Sequence, residues 1–198
     1  MTLYNIGKFI SFVLLKFFCK FTVTGQGSVP AKGGFILATN HTSNVDPLVI
    51  GSACPQPLHF MAKVELFGNP VCAWILHAVH AFPVKRGAGD IPAIREAIRR
   101  VRAGGGLLIF PEGVRSEDGK IGAGQEGIGF LAMKLNVPIV PAYIRGTDKV
   151  LPKGSSRVSA ARVTVRFGKQ ILLERRMPYQ AVADRIMEEI RRLSCELN

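Results

Sequence analysis

The sequence predicts one α/β domain, in which helices flank a mixed, largely parallel sheet, preceded by an N-terminal helical segment. Three observations support this fold class. Short apolar runs bounded by Gly, Pro and Asn are typical of buried strands. Segments of about ten residues with helical periodicity separate these runs, as they do in α/β proteins. The length of 198 residues suits a single core.

The N-terminal segment, residues 4–23, reads YNIGKFISFVLLKFFCKFTV and is apolar nearly throughout, but Lys8, Lys16 and Lys20 interrupt it. A membrane-spanning helix needs about 20 predominantly apolar residues, and a lysine near the bilayer centre costs roughly 2.5–3.5 kcal/mol. A simple span is therefore disfavoured. On a helical wheel the three lysines fall within about a third of the circumference, which is typical of a helix lying in the membrane interface.

Two alternatives for this segment stay open. The helix could pack on its own domain or on a neighbour, or the segment could be a cleaved signal peptide. Lys16 interrupts the apolar stretch and no small-residue cleavage site follows, which disfavours the signal peptide. We assign residues 1–24 to a membrane-associated helix and residues 25–198 to the α/β domain.

The α/β pattern begins with a predicted buried strand over Gly34–Thr39, followed by the loop NHTSNVD. Asp46 directly precedes Pro47, so we expect Asp46 to cap a helix that runs from Pro47 to about Ala53. This places His41 on the loop that leaves a strand, and Asp46 at the start of the next helix.

The remaining elements continue the alternation. Further strands are predicted at 58–62, 81–84, 107–110 and 138–144, and the period-two pattern of 162–167 predicts a half-exposed edge strand. Helices are predicted at 70–80, from Asp90 to a stop at Gly104, at 126–136 and at 178–197. Ligands of such sheets collect beyond the carboxyl ends of the strands, where the loops NHTSNVD, KRG and PEGVRS lie.

Charge and hydropathy narrow the choice of partner. Lys and Arg number 26 against 14 Asp and Glu, a formal net charge of +12, which attracts anionic partners. The mean hydropathy of +0.21 is high for a nucleic-acid module. A chain that is both basic and apolar favours an anionic membrane surface, and we expect no nucleic-acid partner.

The four cysteines lie far apart without CxxC spacing, which indicates neither a zinc site nor a disulfide framework. This usage fits a reducing cytoplasm. We therefore expect a peripheral or monotopic protein on the cytoplasmic face of the cell membrane.

His41 and Asp46 are the candidate catalytic pair. A carboxylate bonded to one imidazole nitrogen fixes the tautomer, stabilises the imidazolium and leaves the other nitrogen to take a proton. No Ser or Cys stands in a nucleophile-elbow context such as GxSxG, so the substrate is the better source of the nucleophile. The alternative for this pair alone is a structural hydrogen bond between a loop histidine and a helix-cap aspartate.

Basic residues follow two other predicted strands. Lys85 and Arg86 come after one, and Glu112 and Arg115 after another. The planar guanidinium of arginine matches phosphate oxygens, and lysine adds a point charge. Each pair alone could be a solvated surface cluster, but their position beside His41 and Asp46 predicts a phosphate pocket.

These motifs, NHTSNVD, FPVKRG, FPEGVRS and VPIVPA in this order, resemble the four sequence blocks of the glycerolipid acyltransferase family, nearest to its bacterial 1-acylglycerol-3-phosphate acyltransferase branch. The resemblance covers about 34–142. It implies His41 as general base and Asp46 as its partner. It also implies substrate contacts from Asn40, Lys85, Arg86, Glu112, Gly113, Arg115 and Ser116.

The resemblance implies transfer of a fatty acyl group from acyl carrier protein or coenzyme A to the free hydroxyl of a lysophospholipid phosphate. No cofactor is expected. Two alternatives are an acyltransferase for another lysolipid or glycerol 3-phosphate, and a basic membrane- or nucleic-acid-binding protein with a disabled site.

Two features of the predicted helix at 70–80 each allow two interpretations. His77 and His80 have HxxH spacing, but no carboxylate or cysteine lies at ligand spacing, so we expect no metal site. Trp74, Ile75 and Leu76, with Phe67 before them, could line an acyl-chain groove. Core packing is the interpretation that we favour for them.

Overall fold

The computed structural model describes residues 2–85, 89–116, 119–174 and 176–196. Its α-helices are α1 (Leu3–Cys19), α2 (Asp46–Ala53), α3 (Pro70–Ala78), α4 (Ile91–Arg102), α5 (Glu126–Leu135), α6 (Thr147–Val150) and α7 (Tyr179–Cys195). Its strands are β1 (Thr22–Thr24), β2 (Phe35–Thr39), β3 (Leu58–Lys63), β4 (Ala81–Val84), β5 (Gly106–Ile109), β6 (Ile139–Arg145) and β7 (Thr164–Phe167). Short 3₁₀ helices cover Gln26–Ser28 and Val64–Gly68.

The seven strands form one sheet in the order β1-β7-β6-β2-β5-β3-β4. Only the pairing of β6 with β7 is antiparallel among these strands, and the other five pairings are parallel. The predicted mixed, largely parallel α/β fold is therefore confirmed. Because β2, β3, β4, β5 and β6 run in the same direction, their carboxyl ends share one rim of the sheet.

Two apolar layers cover the sheet. On one face, side chains of β2, β6 and β7 pack with α1 and α2, and on the other face α4, α5 and α7 form the second layer. The central strand β2 is buried at all five residues. A strand covered on both faces needs apolar side chains in both directions, which explains its continuous apolar sequence.

The sheet departs from the prediction at one edge. The N-terminal helix was expected to include Val23, but α1 ends at Cys19, and Lys20 adopts a left-handed φ of 44°. Thr22–Thr24 then forms β1, which pairs with β7. The prediction that β7 is an edge strand is therefore wrong, because β1 covers it.

Helix α1 packs against the domain through one side and exposes the other. Tyr4, Leu15 and Cys19 are buried, and the hydroxyl of Tyr4 accepts the Leu58 N–H at 3.0 Å. Lys8, which is half-buried, donates to the Cys54 and Pro55 carbonyls at the end of α2. The exposed side carries large apolar residues, Leu3, Ile6, Phe9, Ile10, Val13, Leu14, Phe17 and Phe18.

Within the described residues, no helix combines the length and apolar composition needed to cross a bilayer.

Helix α3 is apolar along its whole length, PVCAWILHA, yet none of its residues is buried. Trp74 is 64% exposed, and Ile75 also faces solvent. The prediction that Trp74, Ile75 and Leu76 pack in the core is therefore wrong. Both faces of the sheet already have their layers of helices, and α3 lies outside them, against β4 and the 3₁₀ helix Val64–Gly68.

Candidate active site

The candidate site lies at the carboxyl rim of the sheet, where the loop that leaves β2 turns into α2. His41 Nδ1 lies 2.8 Å from Asp46 Oδ2. The imidazole is almost buried and the carboxylate is completely buried. The predicted pairing of these two side chains is therefore present in the structure.

Asp46 holds the loop as well as the ring. Its Oδ2 accepts the Thr42 N–H at 2.7 Å and the Ser43 N–H at 2.8 Å, in addition to its contact with His41. The prediction that Asp46 caps α2 is wrong, because Val45 occupies the cap position and the Asp46 carboxylate turns back toward the loop. Three donors on one oxygen fix the carboxylate in a single orientation.

The ring of His41 is held from a second direction by Phe110. The two ring centroids lie 3.9 Å apart, and the ring planes are 17° from parallel. Since an ionised carboxylate accepts only, Nδ1 carries a hydrogen and Nε2 is the nitrogen that can take a proton. The arrangement can therefore remove a proton from a substrate hydroxyl and stabilise the resulting imidazolium.

Asn40 joins the loop between β2 and α2 to the neighbouring strand β6. Its Nδ2 donates to the Ile144 carbonyl at 2.9 Å, and its Oδ1 accepts the Ile144 N–H at 2.8 Å. Thr42 and Thr147 are joined through their hydroxyls at 3.0 Å, and Ser43 donates to the Leu151 carbonyl at 2.7 Å. These contacts make the loop rigid from its start to α2.

The loop after β5 holds the main chain of His41 on both sides. Glu112 accepts the His41 N–H at 3.3 Å through Oε1 and the Gly122 N–H at 3.0 Å through Oε2. The Ser116 N–H donates to the His41 carbonyl at 2.8 Å. Glu112 is buried, so its carboxylate is a component of the scaffold around the histidine.

Gly113 allows this loop to turn. Its φ is 71°, a left-handed value that strains residues with a Cβ, and its N–H donates to the Phe110 carbonyl at 3.0 Å. This N–H is therefore already engaged in the loop itself.

The predicted cationic residues are spread along the rim. Arg115 follows β5, which adjoins β2, and its side chain is partly exposed. Lys85 follows the edge strand β4, about 14 Å from β2 at the usual strand spacing, and is exposed. Its N–H donates to Asp90 Oδ2 at 2.7 Å. Arg86 lies outside the described residues.

Two residues of the site are not among those predicted from the sequence. Phe110 was predicted only as the end of a strand, and Thr147 was not singled out. Both act through contacts between distant parts of the chain, with His41 and Thr42 respectively. The FPEGVRS motif that includes Phe110 was the one signal that could have indicated it.

No cluster of three or more histidine, cysteine, aspartate or glutamate side chains suited to a metal occurs in the part of the chain that the structure describes. His80 stacks on the ring of Tyr4 with centroids 4.6 Å apart, and His77 lies 5.3 Å from the ring of Phe67.

A buried histidine–carboxylate pair at the carboxyl rim of a mostly parallel sheet defines an α/β protein equipped for acid–base chemistry. A family model described as Acyltransferase matches residues 20–145, which is more than half of the chain. The chain therefore belongs to the acyltransferase family, and the resemblance of its four motifs is confirmed.

Several relatives are similar over large parts of the chain. A chloroplastic 1-acyl-sn-glycerol-3-phosphate acyltransferase from Brassica napus is 28% identical over 177 residues, 88% of this chain and 49% of the relative. A 1-acyl-sn-glycerol-3-phosphate acyltransferase from Bacillus subtilis is 35% identical over 126 residues, 63% of this chain and 62% of the relative. The chain thus spans about half the length of the plant relative.

A solved structure is similar over the whole chain. The crystal structure of the 1-acyl-sn-glycerophosphate acyltransferase PlsC from Thermotoga maritima superimposes with a TM-score of 0.81 at 26% identity. The match covers 99% of this chain and 78% of the other.

Proposed function

We propose that this protein transfers a fatty acyl group from an acyl thioester to the sn-2 hydroxyl of lysophosphatidate, giving phosphatidate. The observation that carries the proposal is the buried pair of His41 and Asp46, 2.8 Å apart at the carboxyl rim. The names of the Brassica and Bacillus relatives and of the Thermotoga structure support the same acceptor.

The reaction needs one proton to move twice, first from the acceptor hydroxyl to His41 and then from His41 to the leaving sulfur. Nε2 of His41 takes the proton of the acceptor hydroxyl as its oxygen attacks the thioester carbonyl. Asp46 stabilises the imidazolium that forms at His41. The tetrahedral adduct then collapses, the C–S bond breaks, and the sulfur takes the proton from Nε2 and leaves as a thiol. The cleaved thioester makes the transfer favourable, and acyl carrier protein and coenzyme A both provide such a thioester.

The phosphate of the acceptor requires cations near His41. We assign this contact to Arg115 first, because β5 is the direct neighbour of β2. Lys85 and Arg86 are proposed as a second, more distant pair. The structural roles of Asn40, Glu112, Gly113 and Ser116 favour shaping of the pocket over direct contact with the acceptor.

The proposed substrates are lipids, so the enzyme must reach them at a membrane. We propose that residues 1–24 lie at the surface of the cytoplasmic leaflet, with the exposed apolar side of α1 toward the lipid. Phe17 is 85% exposed in the last turn, and Lys16 and Lys20 beside it are also exposed. Aromatic residues with flanking lysines suit an anionic interface.

The function is tested by assaying purified protein for phosphatidate formation from lysophosphatidate, with acyl carrier protein and coenzyme A thioesters compared. Glycerol 3-phosphate and lysophosphatidylcholine at matched detergent are the control acceptors. We expect the highest kcat/KM with lysophosphatidate. Higher activity with another acceptor would assign the enzyme to that substrate. Vesicle binding without turnover on any acceptor would indicate an inactive membrane-binding protein.

A further inference from the structure

A second apolar surface lies on α3 and on the 3₁₀ helix before it. We call it the α3 surface, and it consists of Leu66, Val71, Trp74 and Ile75. Each of these side chains is about half exposed or more, up to 66% for Val71. The nine residues of α3 include no Asp, Glu, Lys or Arg.

A helix of this composition is normally covered. Helices that are apolar all round occur in the core of a protein or in lipid. A contiguous exposed patch of large apolar side chains marks a site of interaction on a soluble surface. Because none of the residues of α3 is buried, the α3 surface is left uncovered by the residues that the structure describes.

The end of α3 lies close to the proposed membrane-contacting helix. His80, two residues after the end of α3, stacks on Tyr4 in the first turn of α1 with ring centroids 4.6 Å apart. Tyr4 in turn accepts the N–H of Leu58 at the start of β3. The first turn of α1 therefore contacts the turn between α3 and β4.

The charge of the whole chain favours lipid over a second copy of the chain. Near the α3 surface, Lys63 and Lys85 at the carboxyl ends of β3 and β4 are exposed, and so is Glu65 beside Leu66, so the immediate surroundings carry both signs. The chain carries a net charge of +12, which makes two copies repel each other and attracts the protein to anionic lipid. An apolar surface on a strongly basic chain matches the acyl chains and anionic head groups of a bilayer.

We propose that the α3 surface is a second lipid-contacting element, which inserts its apolar side chains into the interfacial layer of an anionic bilayer next to α1. The inference rests on the proposed membrane association and extends it. Trp74 suits this depth, because an indole places an apolar ring in lipid and its N–H at the polar level.

Contact with the membrane through both α1 and the α3 surface would orient the domain, whereas contact through α1 alone would not. A single interfacial helix leaves the domain able to roll about the helix axis. A second contact at α3 restricts this rotation and fixes the orientation of the carboxyl rim, with His41, relative to the lipid. The α3 surface thereby links membrane contact to presentation of the active site.

Trp74 is the only tryptophan of the chain, so its native fluorescence reports on the α3 surface directly. The experiment adds phosphatidylglycerol vesicles to the full chain and records the Trp74 emission, together with co-sedimentation of the protein. We expect a blue shift and strong quenching when the lipids carry brominated acyl chains. Co-sedimentation with unchanged emission and no quenching by these lipids would overturn the inference while leaving the contact through α1 intact.

A single variant, Val71→Asp, tests the contribution to binding. One charge placed in the apolar layer should weaken vesicle binding by about tenfold or more. The matched control is Leu172→Asp, which is equally exposed but lies next to the start of β6, four strands away from β4. Activity on monodisperse short-chain substrates should stay at the parent level in both variants. Equal loss of binding in both variants would contradict the proposal.

The remaining outcomes distinguish contact with a bilayer from other partners of the α3 surface. A blue shift that depends on protein concentration without vesicles would assign the surface to a second copy of the chain. Quenching by monomeric brominated lysolipid alone would assign it to a single acyl chain. If the parent protein does not co-sediment with vesicles, the membrane association as a whole is overturned. The proposed acyl transfer is tested separately, by the assay in detergent.

Discussion

In the loop between β2 and α2, the position of the Asp46 carboxylate determines which nitrogen of His41 can take a proton. Asp46 Oδ2 accepts hydrogen bonds from His41 Nδ1 and from two backbone N–H groups. This geometry keeps the hydrogen on Nδ1 and leaves Nε2 free for the role of base that we propose. The chemistry therefore depends on the charge of Asp46 as well as on its shape.

Asp46→Asn should keep the fold and lose most of the turnover. An amide can donate to Nδ1, which favours the tautomer with its hydrogen on Nε2, and it cannot stabilise an imidazolium. We expect kcat to fall by about 10³- to 10⁴-fold. Steady-state kinetics with Asp184→Asn, an exposed change on α7, as the control measures this effect. A kcat within threefold of the parent would contradict the assigned role.

Glu112 is predicted to act through His41 and not through the acceptor. Glu112→Ala leaves the buried His41 N–H without its acceptor and removes the acceptor of the Gly122 N–H, so the free energy of unfolding should fall by about 1–3 kcal/mol. We expect kcat to fall while KM for the acceptor stays within about twofold, since the lost contact orients His41. Glu112→Gln keeps an acceptor oxygen and should restore part of kcat. A raised KM with unchanged kcat would instead indicate direct acceptor binding.

At the scale of elements, α1 is packed against its own domain through one side. Lys8 reaches across to the carbonyls at the end of α2, and its burial lowers the pKa of the ammonium. Tyr4 and Leu15 anchor the same side of the helix. Helix α1 thus packs on its own domain through one side and exposes the other side, which we propose contacts lipid.

Lys8→Met should destabilise the junction of α1 and α2. It removes a cation from the carboxyl end of α2 and leaves two carbonyls without this donor, which costs about 1 kcal/mol. Lys16→Met, on the exposed side of α1, is the matched control and should change stability by no more than about 0.5 kcal/mol. Urea unfolding compares the two. Equal effects from both substitutions would contradict the assigned contact of Lys8.

Most of the sheet could be predicted from sequence because its strands are continuous apolar runs. β2 and β6 are the clearest cases. β1 could not be predicted, because three residues, Thr-Val-Thr, carry no pattern and become a strand only by pairing with β7. The apolar sequence of α3 likewise does not say whether protein or lipid covers it.

The candidate site was predictable to a similar degree. His41 and Asp46 were recognisable because their spacing within one loop fixes their proximity. Phe110 and Thr147 were not, since their contacts depend on how β5 and α6 are placed beside that loop. The burial of Glu112 also depends on this placement, and the sequence indicated only a charged loop residue.

At the scale of the whole molecule, we expect a low pH to reduce the free energy of unfolding through a cluster of histidines far from the active site. Burial, and then the nearby Arg100 guanidinium, lower the pKa of His59 from 6.5 to about 4. Arg100 Nη1 lies 3.0 Å from His59 Nδ1 and 2.8 Å from the His80 carbonyl, so the neutral ring accepts from this arginine. Burial also lowers the pKa of His80.

The sign of the pH dependence follows from proton binding. Between pH 6.5 and about 4, the unfolded chain binds a proton at His59 that the folded protein does not bind. Stability is therefore fully present above pH 6.5 and falls as the pH is lowered toward 4. Urea unfolding at several pH values should show this slope, and His59→Gln should reduce it. An unchanged slope in His59→Gln would show that other groups are responsible.

The central claim is that His41 is the base for acyl transfer, and turnover of His41→Ala is its most direct test. Phosphatidate formation from lysophosphatidate and an acyl thioester is measured in parent and variant, with circular dichroism as the check on folding. The account predicts a folded variant without transfer above background. Turnover close to that of the parent, in a folded His41→Ala protein, would contradict it.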